Sequence, residues 1–240
     1  MPRYKIADIV FSVEPIYNYT KILCKDYEYF GQEQDAFVCK PTEQDIYSEK
    51  QKLPDYPEPF LESLVVYRKL CEYALEHANG IIFHCSAIMV GDGAYLFTAP
   101  SGTGKSTHTR LWRELLGDKA VMINDDKPII RLIGDELYVY GTPWMGKHNI
   151  GNNVRAKLKA ICKIRQEKEN TIKEISPADM ITTILNQTIR PNKIEIMDKL
   201  LGLIEKMLDN AGLYSLGCNI SKEAAELSYG AMVKGENNEN

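Results

Sequence analysis

Short apolar runs open the chain. Tyr4 to Phe11, Tyr17 to Leu23 and Ala36 to Cys39 are rich in Ile, Val, Tyr and Phe, with polar breaks between them. That pattern predicts three strands of a small β-rich module. The aromatic stretch from Tyr17 to Phe30 reads as packing of that module on the rest of the chain rather than as a binding surface. Residues 41–59 are polar and punctuated by proline, which predicts a linker or exposed loop. The expected organisation is a module with linker over residues 1–58 and a main domain over residues 59–240.

From Phe60 the period lengthens. Leu61, Leu64, Val65, Leu70 and Leu75 form a helical stripe to about Glu76, with Gly80 as its stop. IIFHCSAIMV then reads as one buried strand from Ile81, Gly91-Asp92-Gly93 as a turn, and AYLFTA as the returning strand. A helix over Ser106–Leu116 ends at Gly117, and AVMI runs into Asn124-Asp125-Asp126. IIRLI and LYVY around Gly134-Asp135 predict a hairpin. Gly141–Asn153 is a glycine- and asparagine-rich loop, and Leu158–Ile164 with Thr171–Ile175 predict a further hairpin. Ser176-Pro177 starts a helix reaching about Arg190, and a second spans Lys193–Asp209. LYSLGC is a last strand, Ser221 opens a terminal helix, and GENNEN is a solvated tail. Strands alternating with helices give an α/β fold with a mixed twisted sheet.

Composition narrows the function. The chain has 240 residues, 44% of them apolar and 26% charged, which suits a globular domain. The net charge of −4 provides no field for nucleic acid or an anionic membrane, so neither is expected as a partner. No apolar run approaches the roughly 18 residues a membrane helix needs. The N-terminus has no signal-peptide core, so the expected location is cytoplasmic. The six cysteines are widely spaced without a C-x-x-C pair, and read as reduced, buried thiols.

The chemistry concentrates in Ala99-Pro-Ser-Gly-Thr-Gly-Lys-Ser106, a phosphate-loop pattern with alanine at the first glycine position. A strand precedes it and a helix follows. Gly102 and Gly104 let the backbone curl so that amides converge, and the helix N-terminus adds positive potential. The expected nucleotide-binding residues are Ser101, Gly102, Thr103, Gly104, Lys105, Ser106 and Thr107. Lys105 supplies charge for the β- and γ-phosphates and Ser106 a hydroxyl for Mg²⁺. Asp125 and Asp126 end a strand after that loop, where a carboxylate completes an Mg²⁺ site and another accepts a proton. His84 falls near the loop if its strand pairs antiparallel with AYLFTA, within reach of a catalytic aspartate.

A hairpin, not a crossover, delivers this chain into its loop. In that respect FHCSAIMVGDGAYLFTAPSGTGKST resembles the histidine strand, hairpin and phosphate loop of the HPr kinase/phosphorylase and phosphoenolpyruvate carboxykinase superfamily. NDDKP resembles the family's paired aspartates, and GTPWMGKHNIGNNVRAKLKAICKI with QTIRP resembles segments of small HPr-kinase-like proteins. The resemblance covers roughly Ile81 to Gly230 and implies an ATP- and Mg²⁺-dependent kinase. It implies Lys105 and the loop on the phosphates, Ser106 and Asp126 on the metal, and Asp125 as general base tuned by His84, with the two aspartates interchangeable. Thr107 departs from the usual glutamate, and the family's C-terminal arginine motif is not found. Lys147, His148 and Arg155 are the cations that could stabilise the moving phosphoryl group instead.

The acceptor is expected to be a hydroxyl on a small molecule, peptide or protein. The alternatives are a carboxykinase-like enzyme and a nucleotide-binding regulator without catalysis. A small-metabolite kinase would enter its loop from a parallel crossover. The chain could also form a homo-oligomer.

Overall fold

The computed structural model describes residues 1–191 and 193–234. The tail GENNEN lies outside the described residues. The N-terminal sheet joins β1 (Arg3–Ile6), β2 (Ile9–Val13) and β3 (Phe37–Cys39) in that order. The turn between β1 and β2 is Ala7-Asp8, both at positive φ (51° and 57°), the twist a tight hairpin requires. Tyr17–Leu23 is not a strand. Tyr19–Leu23 forms α1 and Lys25–Tyr27 a 3₁₀ turn, with Tyr27 buried beneath.

The expected linker contains a helix, α2 (Glu43–Lys52). A capping box starts it: the Thr42 side chain accepts from the Asp45 amide, and the Asp45 carboxylate accepts from the Thr42 amide. Its buried Glu49 receives the Arg68 guanidinium at 2.7 and 2.9 Å. Arg68 lies on α3 (Glu58–His77), where Leu61, Leu64, Leu70 and Leu75 are buried as the stripe requires. Glu62 on α3 is fully buried and accepts from the amides of Ile16 and Tyr17 and from the Thr20 hydroxyl. One apolar cluster runs from Tyr4 and Phe11 through Leu61 and Leu70 to Ile82, Ile129 and Trp144, so the small sheet and the larger one share a core across α3.

Among the described residues the larger sheet has nine strands and mixed direction. IIFHCSAIMV is two strands, not one. β4 (Gly80–Ile82) pairs with β8 (Ile129–Ile133), and β5 (Ser86–Val90) pairs with β6 (Gly93–Thr98) and β7 (Ala120–Asn124). The break at Phe83-His84-Cys85 moves the chain from one part of the sheet to another. β5 and β6 form the expected antiparallel hairpin through Gly91 at φ 61°. β8 and β9 (Glu136–Tyr140) form the next hairpin.

β10 (Arg155–Gln166) runs parallel to β6 along one edge, from Lys157 opposite Gly93 to Lys163 opposite Thr98. β9 and β12 (Gly212–Cys218) share its other edge. The expected hairpin between β10 and β11 (Thr171–Glu174) is absent. β12 lies between them, parallel to β10 and antiparallel to β11. α4 (Lys105–Leu116) and α7 (Lys222–Tyr229) cover one part of the sheet around Phe97, Trp112 and Leu216. α5 (Pro177–Asn186) and α6 (Ile194–Asn210) pack on another around Leu96, Ile161 and Leu203. α5 stops at Asn186, short of Arg190, and Arg190 bonds back to the Leu185 carbonyl and the Asn186 side chain. The six cysteines are buried and unbridged. Among the described residues no helix is long and apolar enough to cross a membrane.

Candidate active site

β6 and α4 position the loop that joins them. Gly102 and Gly104 hold φ of 80° and 113°, a region that favours glycine. A side chain at Gly102 would meet nothing within 4 Å, so conformation, not space, requires glycine there. Gly104 starts α4, and its carbonyl accepts from the His108 amide at 2.9 Å. The first-turn amides of α4 have no intrahelical acceptor, which makes this end of the helix positive. Ser101 and Gly102 are exposed, and Thr103, Ser106 and Thr107 are half-buried.

Lys105 is 7% exposed. The only hydrogen bond of its ammonium among the described residues goes to the Ala99 carbonyl at 3.0 Å. Burial pushes its ammonium below the ordinary lysine value, against the opposing pulls of Cys85, Asp126 and Asp125.

β7 ends in a rigid acidic turn. The fully buried Asn124 accepts from the amides of Asp126 and Lys127 at 2.8 and 2.6 Å, and donates to the Thr142 carbonyl at 2.9 Å. The Thr142 hydroxyl donates to the Lys127 carbonyl at 2.8 Å. The two carboxylates are thus held in different surroundings. Asp125 is buried, and its Oδ1 accepts from the Ser86 hydroxyl at 2.5 Å. Asp126 is less enclosed and takes a partner on each oxygen: His84 Nε2 at 2.9 Å on Oδ1, and Lys127 Nζ on Oδ2. Burial pulls the Asp126 carboxyl upward, but His84 and Lys127 outweigh it and hold it below the ordinary value.

His84 sits in the break between β4 and β5, fixed by its amide on the Gln187 carbonyl at 2.8 Å and its carbonyl under the Thr98 hydroxyl at 3.3 Å. It therefore touches Asp126 and not Asp125. Of the two aspartates left interchangeable by the sequence, His84 meets Asp126, and Asp125 pairs with Ser86.

The loop after β9 closes one side. Gly146, at φ 71°, lies where an added Cβ would come 3.0 Å from the Asp126 Cβ. Lys147 and His148 follow it directly and are exposed at the rim. Arg155 is elsewhere. It starts β10, two residues before the strand meets Gly93 at the end of β6 away from the loop, and pairs with Asp8 at 2.7 Å and the Tyr140 hydroxyl at 3.1 Å. The structure brings together the loop, His84, Asp125 and Asp126, and leaves Arg155 with the N-terminal sheet.

Five positions were not assigned roles from sequence: Ser86, Asn124, Lys127, Thr142 and Gly146. Asn124 carried a signal, since asparagine favours accepting from amides two residues on. Thr142 and Gly146 meet the turn only through tertiary contact.

Fold and site together define a mixed α/β protein with a glycine-rich loop, a buried lysine and an acidic turn linked to the strand before that loop through His84 and Thr98. No family model matches the chain, and no curated protein matches it. Among solved structures it is similar to the Hpr(Ser) kinase/phosphatase from Coxiella burnetii, at 10% identity and a TM-score of 0.35, over 65% of this chain and 98% of that one.

Proposed function

We propose that this chain is a phosphotransferase that moves the γ-phosphoryl group of ATP to a hydroxyl acceptor with Mg²⁺. One observation carries the reading: Lys105 is buried at the start of a helix, and its ammonium has a neutral carbonyl as its sole hydrogen-bond partner among the described residues. A buried ammonium is stabilised by an anion, and the positive helix end and the curled glycines favour a phosphate there.

The donor set suits Mg²⁺ arriving with the nucleotide. Ser106 and Asp125 offer hard oxygens, and Asp125 Oδ2 takes no hydrogen bond among the described residues. No group of three metal-binding side chains occurs among those residues, so a cation would draw its other ligands from phosphate and water. Ser106 and Asp125 would hold Mg²⁺, and the ion would supply charge that neutralises the phosphates.

The aspartate roles follow their partners. Asp126, the less buried of the two and oriented by His84, takes the proton of the acceptor hydroxyl. The acceptor oxygen then bonds the γ-phosphorus as the bond to the β-phosphate oxygen breaks, leaving ADP and a phosphate ester. Lys105 and the loop amides hold the phosphates in line, and this positioning accounts for most of the catalysis.

Calorimetry with Mg·ATP and Mg·GTP tests binding, with Lys105→Ala abolishing the heat. Labelled ATP with a library of metabolites and serine-containing peptides tests transfer, with Asp126→Asn sparing binding and stopping transfer. Absence of heat from the native chain with either nucleotide overturns the reading.

A further inference from the structure

The clearest unexplained feature of the site is that both oxygens of Asp126 already carry a partner. His84 lies on Oδ1 and the Lys127 ammonium on Oδ2, and a cation held against the carboxylate makes it a weaker proton acceptor. The side of the pair that can yield is Lys127. The His84 main chain is held on both sides, by Gln187 and Thr98. The Lys127 side chain is one-third exposed (33%) and ends a four-carbon stem.

The base of that stem does not move freely. The Lys127 amide is held by Asn124, and its carbonyl by the Thr142 hydroxyl. Asn124 is itself tied to Thr142 by two hydrogen bonds at 2.9 and 3.1 Å. A fixed backbone bearing a mobile cation is a pivot. The carboxylate it touches is bonded to His84, whose carbonyl lies under the Thr98 hydroxyl where β6 runs into the loop, so the ammonium stands on the side of the acidic turn that faces the loop.

Resting on the phosphotransferase reading, we propose that Lys127 is a γ-phosphate sensor. Without a triphosphate its ammonium neutralises Asp126. With one, it swings to the terminal phosphate, which carries more negative charge than a carboxylate, and thereby frees Oδ2 of Asp126 to face the acceptor hydroxyl. The same movement supplies a cation to the phosphoryl group, the role for which Lys147, His148 and Arg155 are the sequence candidates. A diphosphate ends short of the pivot and leaves the Lys127–Asp126 pair closed. The cleft then assembles its base only on a nucleotide that has a group to transfer.

The test compares two nucleotides and needs no acceptor. Calorimetry is run on the full chain with Mg²⁺ and either ADP or the β,γ-imido analogue of ATP. A charge-assisted contact made only with the triphosphate is expected to give it roughly 10-fold tighter binding. Lys127→Met, of similar length and uncharged, is expected to bind the analogue about 10-fold more weakly than the native chain does while leaving ADP affinity unchanged. Lys127→Arg is expected to keep most of the preference, which separates lost charge from a disturbed turn. If Lys127→Met binds ADP normally and keeps the full preference for the analogue, the sensor is wrong and the phosphotransferase reading stands. If the native chain binds neither nucleotide, that reading fails and the sensor with it.

Discussion

His84 Nε2 stands 2.9 Å from Asp126 Oδ1, and this contact ties the break between β4 and β5 to the turn that follows β7. Three segments distant in sequence meet through it: the histidine, the acidic turn and, via Thr98, the strand that feeds the glycine loop.

The contact has a titration signature. Burial raises the Asp126 carboxyl, and His84 with Lys127 lowers it further than burial raises it. His84→Ala removes one of the two opposing partners. The Asp126 midpoint, followed by carboxyl-carbon NMR, is expected to move upward. An unchanged midpoint would show that the pair contributes nothing in solution.

Gly146 guards the same carboxylate by its lack of a side chain. Gly146→Ala puts a methyl 3.0 Å from the Asp126 Cβ on a backbone with φ of 71°. The left-handed conformation alone costs roughly 1–2 kcal/mol. Urea unfolding should show a loss of that order, and phosphoryl transfer should fall more than nucleotide affinity does.

Glu62 anchors the N-terminal sheet. It is fully buried and receives two amides and a hydroxyl from residues 16–20. Glu62→Ala leaves those donors unsatisfied, at a cost of roughly 2–3 kcal/mol. Limited proteolysis is expected to cleave near residues 14–27 much faster in the variant. Equal cleavage rates would mean that α1 is held by its apolar contacts alone.

His108 makes stability depend on pH. It is 2% exposed on α4, and its Nε2 lies 2.8 Å from the Ser228 hydroxyl. Burial pushes its imidazole down to about 4. The unfolded chain therefore takes up a proton at this residue near its ordinary value, about 6.5, while the folded chain does not. Stability from this group is constant above about 6.5, falls as the pH drops below that, and stops falling near 4. The total is roughly 3 kcal/mol. His108→Gln should flatten urea midpoints between those limits, and an equally steep fall in the variant would assign the acid sensitivity to other groups.

The sequence pattern located the hairpin, the loop, α3, α4 and the capped start of α5, because each rests on local signals: a Gly-Asp-Gly turn, a glycine–lysine motif, a leucine stripe, a Ser-Pro cap. It misread Tyr17–Leu23 because aromatic and β-branched residues satisfy a strand template as well as a short helix packed by Thr20 and Leu23. It missed α2 because flanking prolines obscured the Thr42-x-x-Asp45 box. IIFHCSAIMV looked continuous since Phe83 and Cys85 are as buried as the strands beside them. At the site, residue identities were legible and pairings were not. Which aspartate meets His84 depends on the Asn124 turn and the register of β5 against β7, neither of which is local.

The placement of β12 has a consequence for how this chain is made. Residues 212–218 fill a gap between two strands that precede them by some forty residues or more. Until they emerge from the ribosome, β10 and β11 each expose an unpaired edge to solvent. Nascent chains halted before residue 212 should therefore self-associate, and a chaperone that shields strand edges would act during that interval.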